Sequence, residues 1–149
     1  MAGLFVDTWG WLALRDKGDP RHNGAVTAFD KALASGAVVT TDYVLDEPFT
    51  LLFRRLAVHK AKESMEFLMA MASESTFTLA PISAARFREA ARLRLKFRDK
   101  PEISFTDFTS MVVMQELELK RILTEDRHFA HVGMGFEFVP RAWSCKTRE

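Results

Sequence analysis

Four acidic residues carry the chemistry this sequence suggests. Asp7 follows the apolar run Leu4-Phe5-Val6, Glu47 lies in TTDYVLDEPF, Asp107 in ISFTDF and Asp126 in ILTEDRHF. Carboxylates gathered within a few ångströms raise one another's pKa values, and a bound cation removes that conflict. Hard divalent ions such as Mg²⁺ and Mn²⁺ take oxygen ligands and suit such a cluster. An ion held there lowers the pKa of a bound water, orients it for in-line attack on phosphorus and stabilises the leaving oxygen. No nucleophilic side chain is then required, in keeping with a chain that has neither a GxSxG elbow nor a plausible Cys-His pair. The phosphate-binding patterns GxxxxGKS/T and GxGxxG are absent as well.

Each acid also has a structural reading. Asp7 and Asp126 precede helical segments and are placed to cap them. Ser104-Phe105-Thr106-Asp107 fits a capping box, and Asp42, Asp46 and Glu47 are acids that a helix dipole favours in a first turn. What turns the reading toward chemistry is the set, provided that the fold gathers it.

The elements that must do so follow from patterning. Short β-rich runs alternate with longer helical ones: strands at Gly3 to Val6, Ala37 to Thr41, Thr76 to Ala80, Arg121 to Thr124 and Phe136 to Val139. Helices are expected from Trp9 to Arg15, Gly24 to Ala34 with Asn23 as cap, Asp42 to Val58, Lys60 to Met71, Ser83 to Arg98 and Ser104 to Leu119, with a short turn at Asp126 to His131. Strands separated by such helices need crossover connections, which favours a mainly parallel sheet covered on both faces. In that architecture the functional crevice lies beyond the carboxyl ends of the strands. Asp7 and Asp126 fall there, and Glu47 and Asp107 lean in from helix starts.

Composition agrees. A chain of 149 residues with 48% hydrophobic and 28% charged residues and a net charge of +1 is globular, neither disordered nor strongly basic. No apolar run approaches the ~20 residues that span a bilayer, and Gly3 to Val6 lacks the flanks of a signal peptide. The single Cys145 makes no internal disulfide, as in a reducing, cytoplasmic setting.

The segments LFVDTWGWLAL, VVTTDYVLDE with TLL behind it, ISFTDFTSMVVM, and ILTEDRHF with GFEFV behind it resemble the PIN domain, a family of metal-dependent ribonucleases. They resemble in particular the VapC-type toxins of VapBC toxin-antitoxin pairs. The resemblance implies a three-layer α/β/α fold forming one nuclease domain over residues 1–149, with one or two Mg²⁺ or Mn²⁺ ions. It also implies endonucleolytic cleavage of RNA, a VapB-type antitoxin partner and a homodimer. Carried over, Asp7, Glu47, Asp107 and Asp126 hold the metal, and Thr8 and Thr124 support it. Pro48 directly after Glu47 predicts a kink or a late helix start, with Asp46 as the substitute acid. Glu125 is expected to point away from its neighbour Asp126.

Other features have two readings each. The cations from Arg86 to Arg98 form a solvated helix face over an apolar underside of Phe87, Leu93, Leu95 and Phe97, or an RNA-tracking strip in which Arg88 and Arg92 join Arg54 and Arg55. Met65, Phe67, Leu68, Met69 and Met71 read as core. Trp9 and Trp11 read as packing, with base stacking as the sharper reading. His128 and His131, spaced i, i+3, suggest zinc but lack a third soft ligand nearby. A haloacid dehalogenase-type phosphatase would need a second Asp where Trp9 stands. A catalytically inactive RNA- or protein-binding module on the same fold is the alternative from another class.

Overall fold

The computed structural model describes residues 3–140. At its centre is a five-stranded sheet of β1 (Leu4–Val6), β2 (Val38–Thr41), β3 (Thr78–Ala80), β4 (Arg121–Leu123) and β5 (Glu137–Val139). The strand order is β3-β2-β1-β4-β5, and every pairing is parallel. Parallel neighbours require crossovers. Among the described residues six α-helices supply three of them, α1 (Thr8–Arg15), α2 (His22–Ser35), α3 (Asp42–Arg55), α4 (Val58–Ser73), α5 (Ala84–Lys96) and α6 (Phe105–Glu116), and a 3-10 turn at Arg127–Ala130 lies in the fourth, from β4 to β5. The result is the expected three-layer α/β/α arrangement.

β1 and β2 are buried along their whole length, which explains their unbroken apolar or Thr-rich runs. Trp11 on α1 drives into the core at 1% exposure, against Phe29 and Phe77. Its indole N–H donates to Thr40 Oγ1 at 3.0 Å, and that hydroxyl donates to the Val6 carbonyl at 2.9 Å, so a buried polar edge is satisfied from the neighbouring strand. Gly10 lets α1 approach the sheet closely, since a Cβ there would stand 2.7 Å from the Leu123 carbonyl oxygen.

Several sequence expectations are corrected. Asn23 does not cap α2, which already begins at His22. Asp19 organises the entry instead, accepting from the Arg21 amide at 2.9 Å. Pro48 does not delay α3: Thr41 caps it by accepting from the Val44 amide, and the helix runs through the proline to Arg55. Pro48 has no N–H to offer the carbonyl of Val44 four residues back. Thr8 Oγ1 donates to that carbonyl instead, at 3.5 Å. In the methionine-rich segment Leu68 is core and Met71 is half-buried against it, while Phe67 and Met69 are exposed. Of the apolar underside assigned to α5, Leu93 is buried but Phe87 and Leu95 are not. Cys145 lies outside the described residues. Among the described residues, no helix is long and apolar enough to cross a membrane.

Candidate metal centre

The sheet order makes the site. β1 has β2 on one side and β4 on the other, so the chain leaves β1 in one direction and returns beside it from the other, which opens a crevice at the carboxyl ends of β1 and β4. Register then sets two residues level. Val6 pairs with Leu123, so Asp7 and Thr124 follow side by side. Thr124 Oγ1 donates to Asp7 Oδ2 at 2.9 Å and also accepts from the Asp126 amide at 3.0 Å, fixing the loop that carries the next acid.

Asp7 occupies the N-cap position of α1, yet its side chain makes no capping bond. Its capping alternative is therefore not realised. The carboxyl group is 3% exposed and its pKa is raised to about 7, first by burial, then by the neighbouring charges of Asp107 and Asp126. The Thr8 amide and the Thr124 hydroxyl pull in the opposite direction without cancelling this.

Asp107 and Asp126 do cap, and still converge. Asp107 completes the capping box at the start of α6: its amide donates to Ser104 Oγ at 3.0 Å, and its Oδ2 accepts from the Ser104 amide at 3.2 Å. Asp126 accepts from the His128 amide at 2.9 Å and starts the 3-10 turn Arg127–Ala130. That turn folds the His128 ring back, with Nδ1 2.9 Å from Asp126 Oδ1 and 3.4 Å from Asp107 Oδ2. The pKa of Asp107 is raised, by burial first and by Asp126 next.

Ligand atoms of Asp107, Asp126 and His128 lie within 4.8 Å of one another. Two carboxylates and an imidazole around one point, beside a third acid driven toward its neutral form, are a donor set that a divalent cation fits: the ion would neutralise the acids and return Asp7 to its charged state. Mn²⁺ accepts this mixed set of oxygens and one nitrogen more readily than Mg²⁺ does.

Thr8 is buried at the start of α1 and bonded to α3. Glu47 stands exposed on α3, and among the described residues no hydrogen bond or ion pair joins it to the other acids. Asp46 is exposed too, and Asp42 accepts from the amides of Tyr43 and Ile82. Glu125 turns away from the cluster and pairs with Arg21. Arg54 and Arg88 are exposed, Arg92 pairs with Glu89, and Arg55 pairs with Asp16 and Asp19. Sequence reasoning missed His128 as a member of the acid cluster. Its pairing with His131 pointed elsewhere, and the useful signal was the Asp-x-His spacing across a tight turn.

A parallel α/β sandwich with acids massed at the β1/β4 crevice defines a nuclease-like PIN architecture. No family model matches the chain. The 23S rRNA-specific endonuclease VapC20 of Mycobacterium tuberculosis is 34% identical over 130 residues, which cover 87% of this chain and 94% of that protein. The crystal structure of Mycobacterium tuberculosis VapC20, described as a sarcin-ricin loop cleaving toxin, superposes with a TM-score of 0.70 at 30% identity, covering 87% of this chain and 95% of that one. The VapBC2 structure from Rickettsia felis, bound to a promoter DNA fragment, shares the fold with a TM-score of 0.70 at 11% identity over 91% of this chain and 96% of that one. The chain belongs to the PIN-domain family, among the VapC-type toxin ribonucleases.

Proposed function

We propose that the protein is a metal-dependent endoribonuclease that hydrolyses RNA phosphodiester bonds, acting as the toxin of a VapBC-type pair. The observation that carries this is the meeting of Asp7, Asp107, Asp126 and His128 at the crevice between β1 and β4. Asp107, Asp126 and His128 would hold a Mg²⁺ or Mn²⁺ ion, with Asp7 facing it as a carboxylate once the ion is bound. Such an ion supplies a water of lowered pKa and neutralises charge at the scissile phosphate.

The chain's own residues do the rest. Thr124 orients Asp7 and the Asp126 loop together, and the capping box fixes Asp107 before any ligand arrives. We include Glu47 as the fourth acid; what supports it is the bond from Thr8 to the Val44 carbonyl, one turn away on α3. Arg54, Arg55, Arg88 and Arg92 are proposed RNA contacts, on the ground of their exposure and charge. A VapB-type antitoxin and a second copy of the chain are the proposed protein partners, on the strength of family membership.

The test is cleavage of RNA with Mn²⁺ present, lost in Asp7→Asn and Asp126→Asn chains that remain folded. RNA bound but left intact under every divalent ion would overturn the reading in favour of a catalytically inactive module.

A further inference from the structure

The two tryptophans of TWGWL have opposite fates. Trp11 is buried with its indole N–H satisfied, whereas Trp9 is 38% exposed in the first turn of α1, two residues beyond Asp7. Among the described residues no hydrogen bond holds the Trp9 indole. One exposed apolar ring is ordinary on a protein surface; what sets Trp9 apart is its place two residues beyond Asp7 and the cations around it.

Two guanidiniums flank it. Arg21 Cζ lies 6.0 Å and Arg55 Cζ 5.8 Å from the Trp9 ring centroid, at the reach of a cation–π contact. They come from different elements, one before α2 and one at the end of α3, and a shared carboxylate holds both. Asp19, whose side chain is 4% exposed, stands 3.5 Å from Arg21 Nη1 and 3.6 Å from Arg55 Nη1. Asp16 lies 3.7 Å from Arg55 Nη1 as a second tether. Glu125 pairs with Arg21 Nε and so ties this group to the residue just before Asp126. A guanidinium carries five donors. These pairings engage only some of them, and about a third of each arginine side chain still faces solvent.

We propose that Trp9, Arg21 and Arg55 form a nucleotide-binding shoulder beside the acids, the indole stacking on an unpaired base of an RNA strand and the guanidiniums meeting its phosphates. This rests on the reading of the crevice as a ribonuclease centre, and it adds where the strand lies. A stacking ring is indifferent to which base it meets, while it demands that the base be unstacked. The shoulder therefore selects single-stranded or looped RNA over a continuous duplex. Asp19 holds the two cations in place before the strand arrives, which reduces the entropy lost on binding.

The experiment measures anisotropy of a short fluorescein-labelled single-stranded RNA, titrated with Asp7→Asn chain in EDTA so that no cleavage intervenes. Added to that background, Trp9→Ala is expected to weaken binding about 5- to 150-fold, the range set by loss of one base-aromatic stack. Trp9→Phe keeps most of the affinity. Arg21→Gln with Arg55→Gln lowers the slope of log affinity against log salt by about 0.7 for each guanidinium that meets a phosphate of a single strand.

Trp9→Ala binding as its parent does, or an unchanged salt slope in the double Gln chain, overturns the shoulder. The nuclease reading is tested apart, by the native chain with Mn²⁺. If that chain leaves RNA intact while binding still depends on Trp9, the nuclease reading falls and the shoulder stands. If it cuts RNA while Trp9→Ala binds normally, the shoulder alone falls.

Discussion

Removing the charge of Asp7 should stabilise the metal-free protein, and the gain should depend on pH. In the folded chain burial, and then the charge of Asp107, pushes this carboxyl up from 3.8 to about 7. Folding therefore raises its proton affinity, and stability linked to it is fully present below the unfolded pKa and lost as pH rises toward the folded one. About 3 pH units at about 1.4 kcal/mol each put the whole loss at roughly 4 kcal/mol. Between about pH 5 and pH 8, roughly 2 to 3 kcal/mol of it disappears, a fall in Tm of about 4 to 12 °C for a chain of this size. Asn keeps an acceptor for Thr124 Oγ1 but cannot ionise. Calorimetry in EDTA should thus show the native chain melting progressively earlier across this window than Asp7→Asn, with the two converging only below about pH 4, where the carboxyl is protonated in both states. Subtraction of the two profiles removes titrations common to both. Saturating Mn²⁺ should narrow the gap at alkaline pH, because an ion favours the carboxylate, and binding at about 100 times Kd returns about 2.7 kcal/mol of the roughly 4 kcal/mol lost. Parallel Tm profiles in EDTA would refute the reasoning, since they would mean that Asp7 is not held in a crowded, dehydrated setting.

Other expectations follow from the same geometry. Thr124→Val should destabilise the fold by about 1 to 3 kcal/mol, by stripping a partner from Asp7 and from the Asp126 amide; urea titration measures it. His128→Ala should weaken Mn²⁺ binding by about 10-fold or more, and Mg²⁺ binding less, because the imidazole nitrogen suits the former and also holds two acids in place; calorimetric titration with each ion checks both, and equal losses would contradict the role as ligand. Gly10→Ala should cost about 1 to 3 kcal/mol by forcing α1 off the Leu123 carbonyl, read as a lower urea midpoint. Reversing Arg88 and Arg92 to Glu should flatten the salt dependence of RNA binding, and unchanged binding would remove α5 from the RNA path.

Much of this was legible from local pattern. Alternation of strand-like and helical runs yields the parallel sheet because crossovers leave few other arrangements, and Ser104 to Asp107 yields its capping box because both partners lie within one turn. The acids at strand ends follow from the same logic. What escaped depends on contacts between distant segments. His128 acquires its role from Asp107, which reaches it from α6. The Trp9 rim depends on Asp19 gathering arginines from two elements. Whether Phe67 and Met69 are core or surface is decided by which face of α4 meets the core that holds Leu68, and a nearly all-apolar stretch does not encode that face. The helix around Pro48 was judged from the proline's own geometry, while its missing donor was supplied from another element.

That substitution of donors has a mechanical outcome. An uninterrupted helix keeps its hydrogen bonds to itself, whereas α3 lends one acceptor to the first turn after β1. The turn that follows Asp7 and the helical turn that leads to Glu47 are thereby tied at one point. The imino acid that leaves an acceptor open within α3 is what fastens that helix to α1.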